Sequence, residues 1–436
     1  MVKWMFHLLV LFATGMTQAA APLTLEEAAA LAGSEAPAVV RARAETDGAR
    51  AQLAAARSRL GPALTADLGF FGTDDPAGVF RLALQQERFS PTGFFASDPN
   101  DAAFTRDWNA AVAAEWTVDL FGWRRGEARA AGAAVDASEK SADRERDSAA
   151  FRAISAFAAA RAAEEALARL AEREADARKD VEIAATLEEQ GIVTPADPAR
   201  ARAALAEVGA EIAAYRASVA DARAALGTLI GADAAARPLA PLPPPRPAPT
   251  ADDSVRDDVA AAELAARSAR ERLRAASASR WPLLLVSGRY ETHAERFGAR
   301  WGDSVSVFGG FRIPIFASGG IASRVGQARA GVASAEASAL EIQRAAEKDV
   351  LSARAALSAA EARLAAFGEA ESAARTAREI QEARYEEGAA RLADLIEART
   401  AELRARLGAA AAGSERTVAE ARLRLALGLP PEGEMR

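Results

Sequence analysis

From Trp108 to Leu120 the even positions are Trp108, Ala110, Val112, Ala114, Trp116, Val118 and Leu120, while the odd ones include Asn109, Glu115, Thr117 and Asp119. Side chains of an extended chain point alternately to two faces, so this run predicts a strand with one apolar face and one polar or small face. Ser304 to Phe316 repeats the pattern, with Val305, Val307, Gly309, Phe311, Ile313 and Ile315 set against Ser304, Ser306 and Arg312. Two shorter runs, Leu64 to Gly72 and Leu283 to Thr292, alternate less strictly. A period of two suits a solvated antiparallel sheet as well as strands of an outer-membrane barrel. The aromatics Trp108, Trp116, Tyr290 and Trp301 near strand ends, a leader for export and the lack of other core-forming sequence favour the barrel. Four strands cannot close one, and open edges are not tolerated in lipid, so several chains would have to share it.

Elsewhere the pattern is helical and far longer. Trp123 to Gln190 is 68 residues without proline, and Gly320 to Glu387 is a second run of equal length. Each predicts a helix of roughly 100 Å, which excludes an ordinary core helix and leaves a coiled coil, a helical array or a conduit wall. Val350, Leu357 and Leu364 fall seven apart and interleave with Ala353, Ala360 and Phe367, a heptad seam with small partners. In the first run Phe151, Ile154 and Phe157 line one side, and the many arginine and glutamate pairs three or four apart read as a solvated, salt-bridged face.

Both long runs end in an acid-rich turn at a glycine. Glu189-Gln190-Gly191 corresponds to Glu386-Glu387-Gly388, and Ala196-Asp197 to Ala393-Asp394, at a constant spacing of 197. The two halves share one plan of helix, strand, strand, long helix and return helix. The first half opens with Thr24 capping a helix that runs to Leu60-Gly61-Pro62, and its counterpart runs from Asp252-Asp253 to Trp281-Pro282. Return helices of about 36 residues end at Leu226-Gly227 and Leu427-Gly428. The expected domains are a leader over 1–21, a first repeat over 22–231, an extended proline-rich linker over 232–250 and a second repeat over 251–436.

The turns carry the candidate chemistry. Gly191 suits a left-handed helix cap, Thr194 an N-cap, Pro195 a first helical position, and Asp197 falls in the first turn. In the second copy Gly388 ends the helix, and Asp394 and Glu397 lie one turn apart on the next. Such acids interact favourably with a helix N-terminus, and they could equally form a ring of carboxylates around an opening on a symmetry axis. The residues alone leave both readings open.

Composition narrows the function. Lys3, an apolar run from Trp4 to Met16 and Ala19-Ala20-Ala21 predict a cleaved secretory signal, since the run falls short of the about 20 residues that span a bilayer. There is no cysteine, which fits export without disulfides and excludes a lipidated N-terminal cysteine. Half the residues are hydrophobic but aromatics are only 6%, so alanine-rich helices pack closely along their length and build no thick core. A net charge of −7 argues against a nucleic-acid partner. No P-loop, G-x-S-x-G or H-E-x-x-H motif occurs, and His293, the only histidine beyond the leader, reads as a loop residue near a strand end. No enzyme, cofactor or metal is expected. The long segment from Thr73 to Asp107 holds Phe80, Phe89, Phe94, Phe95 and Phe104, which would pack the loop on itself or cap a pore, the former being favoured.

This order of elements resembles the TolC-like outer-membrane efflux protein family over nearly the whole mature chain. The resemblance rests on Leu120-Phe121-Gly122 and Pro314-Ile315-Phe316 with Gly319-Gly320 at the strand-to-helix junctions, and most clearly on the tips. The tip runs that carry it are Gln190-Gly191-Ile192-Val193 with Asp197, and Tyr385-Glu386-Glu387-Gly388 with Asp394-Leu395-Ile396. It implies a mainly α fold with a membrane β-barrel portion: a homotrimer with twelve strands in one barrel, held in outer-membrane lipid, and a periplasmic α-helical tunnel. It also implies the outer-membrane channel of a tripartite efflux or type I secretion system, whose tips dock a periplasmic adaptor (membrane fusion protein) serving an inner-membrane transporter. By the same resemblance Asp394 and Glu397 ring the periplasmic gate, Tyr385 and Asp197 help hold it shut, and Gly191, Ile192, Val193, Gly388 and Ala389 form the docking tips. The family's arginine two residues after the second tip glycine is replaced by Ala390, with Arg391 next to it. A periplasmic coiled-coil scaffold without a pore is the alternative; it explains the helices and leader but not two pairs of alternating strands.

Overall fold

A computed structural model of the protein describes residues 21–92, 100–249, 255–387 and 389–433. Thr24 is extended (φ −90°, ψ 161°), and its hydroxyl accepts the Glu27 N–H at 3.1 Å, capping helix α1 (Leu25–Glu35). The single opening helix expected from the sequence is in fact two. A residue before proline is pushed out of helical geometry, and Ala36 accordingly has ψ 136°, so α2 (Pro37–Ser58) starts afresh with proline at its first position. There follow β1 (Ala63–Thr73), α3 (Pro76–Gln85), β2 (Thr105–Val118), α4 (Trp123–Glu189) and α5 (Ala196–Ile230), then a single turn at Ala232–Ala235. The second half comprises α6 (Asp257–Ala278), β3 (Leu283–Ala294), β4 (Gly302–Arg312), α7 (Gly320–Glu386) and α8 (Leu392–Ala426). The start expected for α6 at Asp252-Asp253 lies outside the described residues.

Two compact units form, and the sheet belongs to the one made of Arg43–Ala142 and Asp257–Arg344. Its four strands are antiparallel in the order β1-β2-β3-β4, so β1 and β4 are edges. The register carries Phe70 opposite Trp108 and Trp108 opposite Ala294, and Trp116 opposite Val286 and Val286 opposite Gly309. Apolar residues of neighbouring strands therefore share one face. That face is uncovered, with Leu64 74% and Val307 80% exposed. Beside the sheet, Gly126 lets α4 approach α6: a Cβ there would lie 3.0 Å from the Ala275 Cβ, and the Ser268 hydroxyl donates to the Ala130 carbonyl at 2.8 Å.

Strand ends differ from the alternation for identifiable reasons. β4 stops at Arg312, short of Phe316, because Arg312 already faces Leu283 and the residues beyond are Pro314 on one strand and Pro282 on the other, neither with an N–H to donate. β2 ends at Val118 because Asp119 turns to the next helix, its carboxylate accepting the Gly122 and Arg125 N–H groups at 2.9 and 2.8 Å. The segment after β1 is not simply a loop: Asp75 caps α3 by accepting the Gly78 N–H at 2.7 Å. Of its phenylalanines, Phe80 and Phe89 meet edge to face at 5.4 Å and Phe104 is exposed, while Phe94 and Phe95 lie outside the described residues. His293 is not a loop residue either. It lies within β3, buried, with Nδ1 2.8 Å from the Asp107 Oδ2, because a buried imidazole needs a polar partner.

The other unit comprises the chain up to Ala42, Asp143–Arg256 and the chain from Ala345. Its main core sets Ile154 and Phe157 of α4 against Leu25, Ala28 and Ala32 of α1 and Leu226 and Ile230 of α5. A second cluster packs the seam Ala353, Leu357 and Ala360 of α7 on Ala419, Leu423 and Ala426 of α8. The linker expected to be extended over 232–250 opens instead with the turn at Ala232–Ala235 and is extended only from Pro238, where it is partly seated: Leu23 donates its N–H to the Pro238 carbonyl and accepts that of Ala240, both at 2.8 Å, and Leu239 is buried. No described helix is long and apolar enough to cross a membrane.

Candidate functional site at the helical tips

At the first tip Gly191 has φ +72°, and the Ile192 N–H reaches back to the Leu187 carbonyl at 2.9 Å, closing the end of α4 in a Schellman turn. Pro195 already has helical dihedrals (φ −58°, ψ −15°). Pro195, not Thr194 as expected, stands at the N-cap, and the Thr194 hydroxyl caps no N–H: Asp197 Oδ2 accepts that hydroxyl at 2.9 Å and the Thr194 backbone N–H at 3.1 Å. Arg200 lies 3.8 Å from the other oxygen. Ile192 stands 65% exposed at the apex.

The second tip uses the same device. Gly388 lies outside the described residues, but Ala389 donates to the Arg384 carbonyl at 2.7 Å, the same five-residue reach as at Ile192. Arg391 is the extended N-cap of α8, and Asp394 accepts its backbone N–H at 3.2 Å and its guanidinium Nη2 at 3.3 Å. The Arg391 side chain holds the Asp394 carboxyl below the usual aspartate range, its backbone N–H adding to the effect. Arg391 thus shares the charge of Asp394. Glu397 is exposed and has no ion pair among the described residues.

Tyr385 is drawn inward. It packs with Val181 and Ile396 against Ala184, Ala201 and Leu392, where all four tip helices meet. Burial pushes its hydroxyl up, and the Asp180 charge adds to the shift. Asp197 and Tyr385, expected to act together, share no hydrogen bond among the described residues.

Above this cluster lies a charge network that the sequence reading passed over. Asp180 is 2% exposed and bonds Arg173 at 3.3 Å and Arg399 at 2.5 Å. Arg399 continues to Glu382 at 2.6 Å, Glu382 pairs with Arg378, and Arg378 and Arg406 both reach Glu402 at 2.7 Å. Four arginines and three acids alternate, joining α4, α7 and α8. Arg399 holds the Glu382 carboxyl below its ordinary range, with Arg378 adding to it. The available signal was positional. Ala166, Leu170, Arg173, Ala177, Asp180 and Ala184 are all buried at alternating spacings of four and three, so Arg173 and Asp180 occupy the apolar seam.

A sheet with one uncovered apolar face, paired with helices of 67 residues that end in capped tips, defines a class of outer-membrane channel-tunnels. The model of the outer membrane efflux protein family matches residues 29–232 and 254–429, and the chain belongs to that family. It is a TolC-like outer-membrane factor, a channel protein of efflux. Among solved structures it is similar to the CmeC outer membrane channel of Campylobacter jejuni, with a TM-score of 0.82 and 19% identity, covering 93% of this chain and 85% of that one. It is also similar to the Neisseria gonorrhoeae MtrE channel in its open state, with a TM-score of 0.75, 23% identity and coverage of 93% and 89%. The outer membrane protein VceC of Vibrio cholerae gives a TM-score of 0.75 at 20% identity, with coverage of 93% and 96%. At such identities the likeness concerns the fold. No curated protein sequence matches the chain.

Proposed function

We propose that three copies of the chain share one barrel in the outer membrane and extend it as a periplasmic tunnel, a passive conduit for efflux or type I secretion gated at the tips. The observation that carries this is the sheet itself. Two edges are unpaired and one apolar face is uncovered, an arrangement unsuited to water and, with open edges, to lipid. Setting β4 of each chain against β1 of the next leaves no edge and gives twelve strands. A pore-less scaffold would have no use for such a face. Residues 1–21 are the leader, 22–231 and 251–436 the two repeats, and 232–250 the connector between them.

In this reading the tips Gly191, Ile192, Val193, Gly388 and Ala389 dock an adaptor that joins an inner-membrane transporter, which supplies the energy. Exposed Ile192 offers the adaptor an apolar contact. Asp394 and Glu397 of three chains surround the mouth and favour cations by direct electrostatics, while Tyr385 and Asp197 hold the tip helices in place. Because Arg391 already shares the charge of Asp394, Glu397 carries more of the effect.

Single-channel recording of the purified protein in planar bilayers tests the proposal. Small, stable, cation-selective openings are expected. Glu397→Ala should lower the cation preference more than Asp394→Ala, and the double variant should also relieve block by multivalent cations. Unchanged selectivity and block in the double variant would refute the ring, and folded protein that never conducts would refute the channel.

A further inference from the structure

The two ends of the sheet differ in charge. Residues 57–62, 119–127, 278–282 and 313–324, which join α2, α4, α6 and α7 to their strands, hold six arginines, two acids and no lysine. Asp119 is buried and engaged by the Gly122 and Arg125 N–H groups, and Glu127 lies 4.0 Å from Arg59. Arg57, Arg125, Arg280 and Arg324 form no ion pair among the described residues. At the opposite end, where the hairpins turn, residues 73–76, 85–88, 100–107 and 291–303 hold eight acids and four arginines. There Arg88 pairs with Glu295 and Arg300 with Glu87. A chain of net charge −7 thus gathers an uncompensated positive belt at one level of the sheet.

The belt borders the uncovered apolar face. Trp116 belongs to that face, and its indole N–H donates to the Leu60 carbonyl at 2.8 Å. The preceding carbonyl, that of Arg59, accepts the Arg124 guanidinium, so both arginines lie at the foot of the face. Trp281, next to Arg280, stacks on Phe121 at 5.5 Å with both rings exposed. Ile315 and Phe316, leading into α7, are 94% and 86% exposed. At the hairpin end, ring contacts join a second aromatic group of Phe70, Trp108, Phe297 and Trp301. Trp108 and Trp116 both lie on β2 and stand about 26 Å apart along the strand, comparable with the apolar band of a membrane barrel. Aromatics edge that band on both sides, as they do at bilayer interfaces, but only one edge carries free arginine.

We propose that this belt seats the headgroups of anionic phospholipids, with Arg59, Arg124 and Arg280 holding lipid phosphates beside Trp116, Phe121 and Trp281. This rests on the proposed barrel and adds to it a lipid preference in the leaflet on the helix side. A guanidinium pairs with two phosphate oxygens at once, and the attraction is strongest for lipids whose headgroup carries no cancelling cation. An acidic protein surface would also meet the arginines, but it would leave Trp281, Ile315 and Phe316 of the same belt uncovered. A bilayer edge takes up charge and rings together.

Quenching of the protein's own tryptophans by brominated lipid tests this. Full-length protein is reconstituted in vesicles of brominated phosphatidylcholine, into which unbrominated phosphatidylglycerol or, as reference, unbrominated phosphatidylcholine is mixed in rising fraction. Phosphatidylglycerol is expected to relieve quenching about threefold more effectively than the reference. In Arg59→Gln/Arg124→Gln/Arg280→Gln that advantage should vanish, and in Arg59→Lys/Arg124→Lys/Arg280→Lys it should persist. If the triple glutamine variant fails to assemble, Arg280→Gln decides, since its guanidinium bonds the Ser277 carbonyl of its own helix end at 2.9 Å; the advantage should fall to about twofold. Inorganic phosphate, matched with chloride for ionic strength, should leave the advantage unchanged, and its loss would show a site for free phosphate instead of lipid. Equal relief by the two lipids in the parent overturns the belt and leaves an acidic protein as the partner of the arginines. An undiminished advantage in the glutamine variants overturns it as well. Folded protein that brominated lipid does not quench at all would count against the barrel, whereas quenching without headgroup preference counts against the belt alone.

Discussion

Asp180 illustrates how much one side chain can decide at the tips. Its two oxygens are taken by Arg173 and Arg399 in a site almost closed to water, so deleting the acid leaves two guanidinium groups facing each other. Asp180→Asn keeps the shape and removes the charge. It is expected to lower the unfolding free energy by about 3 kcal/mol, in the range measured when one partner of a buried pair is lost. Denaturant unfolding followed by circular dichroism checks this, and a variant as stable as the parent would show that the network is not anchored there. Glu382 adds a pH dependence of defined sign. Its folded value lies below its unfolded one, so its contribution is present above the ordinary glutamate range and fades as pH falls through the lower folded value. The Asp180 site was legible only in part: heptad spacing marks it as buried, but abundant arginine and glutamate pairs at neighbouring positions resemble a solvated face. His293 shows the opposite failure, since nothing local to β3 announces a partner as distant in sequence as Asp107.

At the scale of elements, two glycines serve different ends. Gly191 has φ +72° with no atom near a substituted Cβ, so Gly191→Ala should cost only conformational strain, about 1 kcal/mol. Gly126 has ordinary helical geometry, but a Cβ would press on the Ala275 backbone at 3.2 Å, and Gly126→Val must push α4 away from α6. Thermal unfolding should therefore drop clearly further for Gly126→Val than for Gly191→Ala, and equal drops would mean that the helices yield easily. The long helices and all four strands were readable, because proline-free length and a period of two are strong signals. Less readable were the break at Pro37, where a good helical pattern continues on both sides, and α3, hidden in a stretch whose phenylalanines suggested a self-packed loop. Strand ends depended on Asp119 choosing to cap a helix, a contact that alternation cannot reveal.

For the whole molecule, the question is which face of the sheet meets lipid. Val307 and Ser306 are neighbours on β4 and point to opposite faces. If the apolar face is outward, Val307→Arg places a charge in hydrocarbon at about 2 to 4 kcal/mol near the midplane, whereas Ser306→Arg enters water. Outer-membrane fractionation should show assembly lost in the first variant and kept in the second, and the reverse outcome would turn the sheet inside out. The repeat at a spacing of 197 makes the twofold plan of the chain legible in the sequence, and four strands too few to close a barrel already call for several copies, whereas the edges left for pairing, β1 and β4, are visible only in the strand order of the sheet. The alanine seams of α1, α4, α7 and α8 carry a last consequence. A leucine core fails when side chains are trimmed, but positions such as Ala28, Ala153 and Ala360 have only one methyl group to lose. Their vulnerable direction is enlargement, since any added bulk must part helices over many turns. Substitution is therefore tolerated on one side only, and the two repeats can drift apart in charge while remaining tied to a common girth.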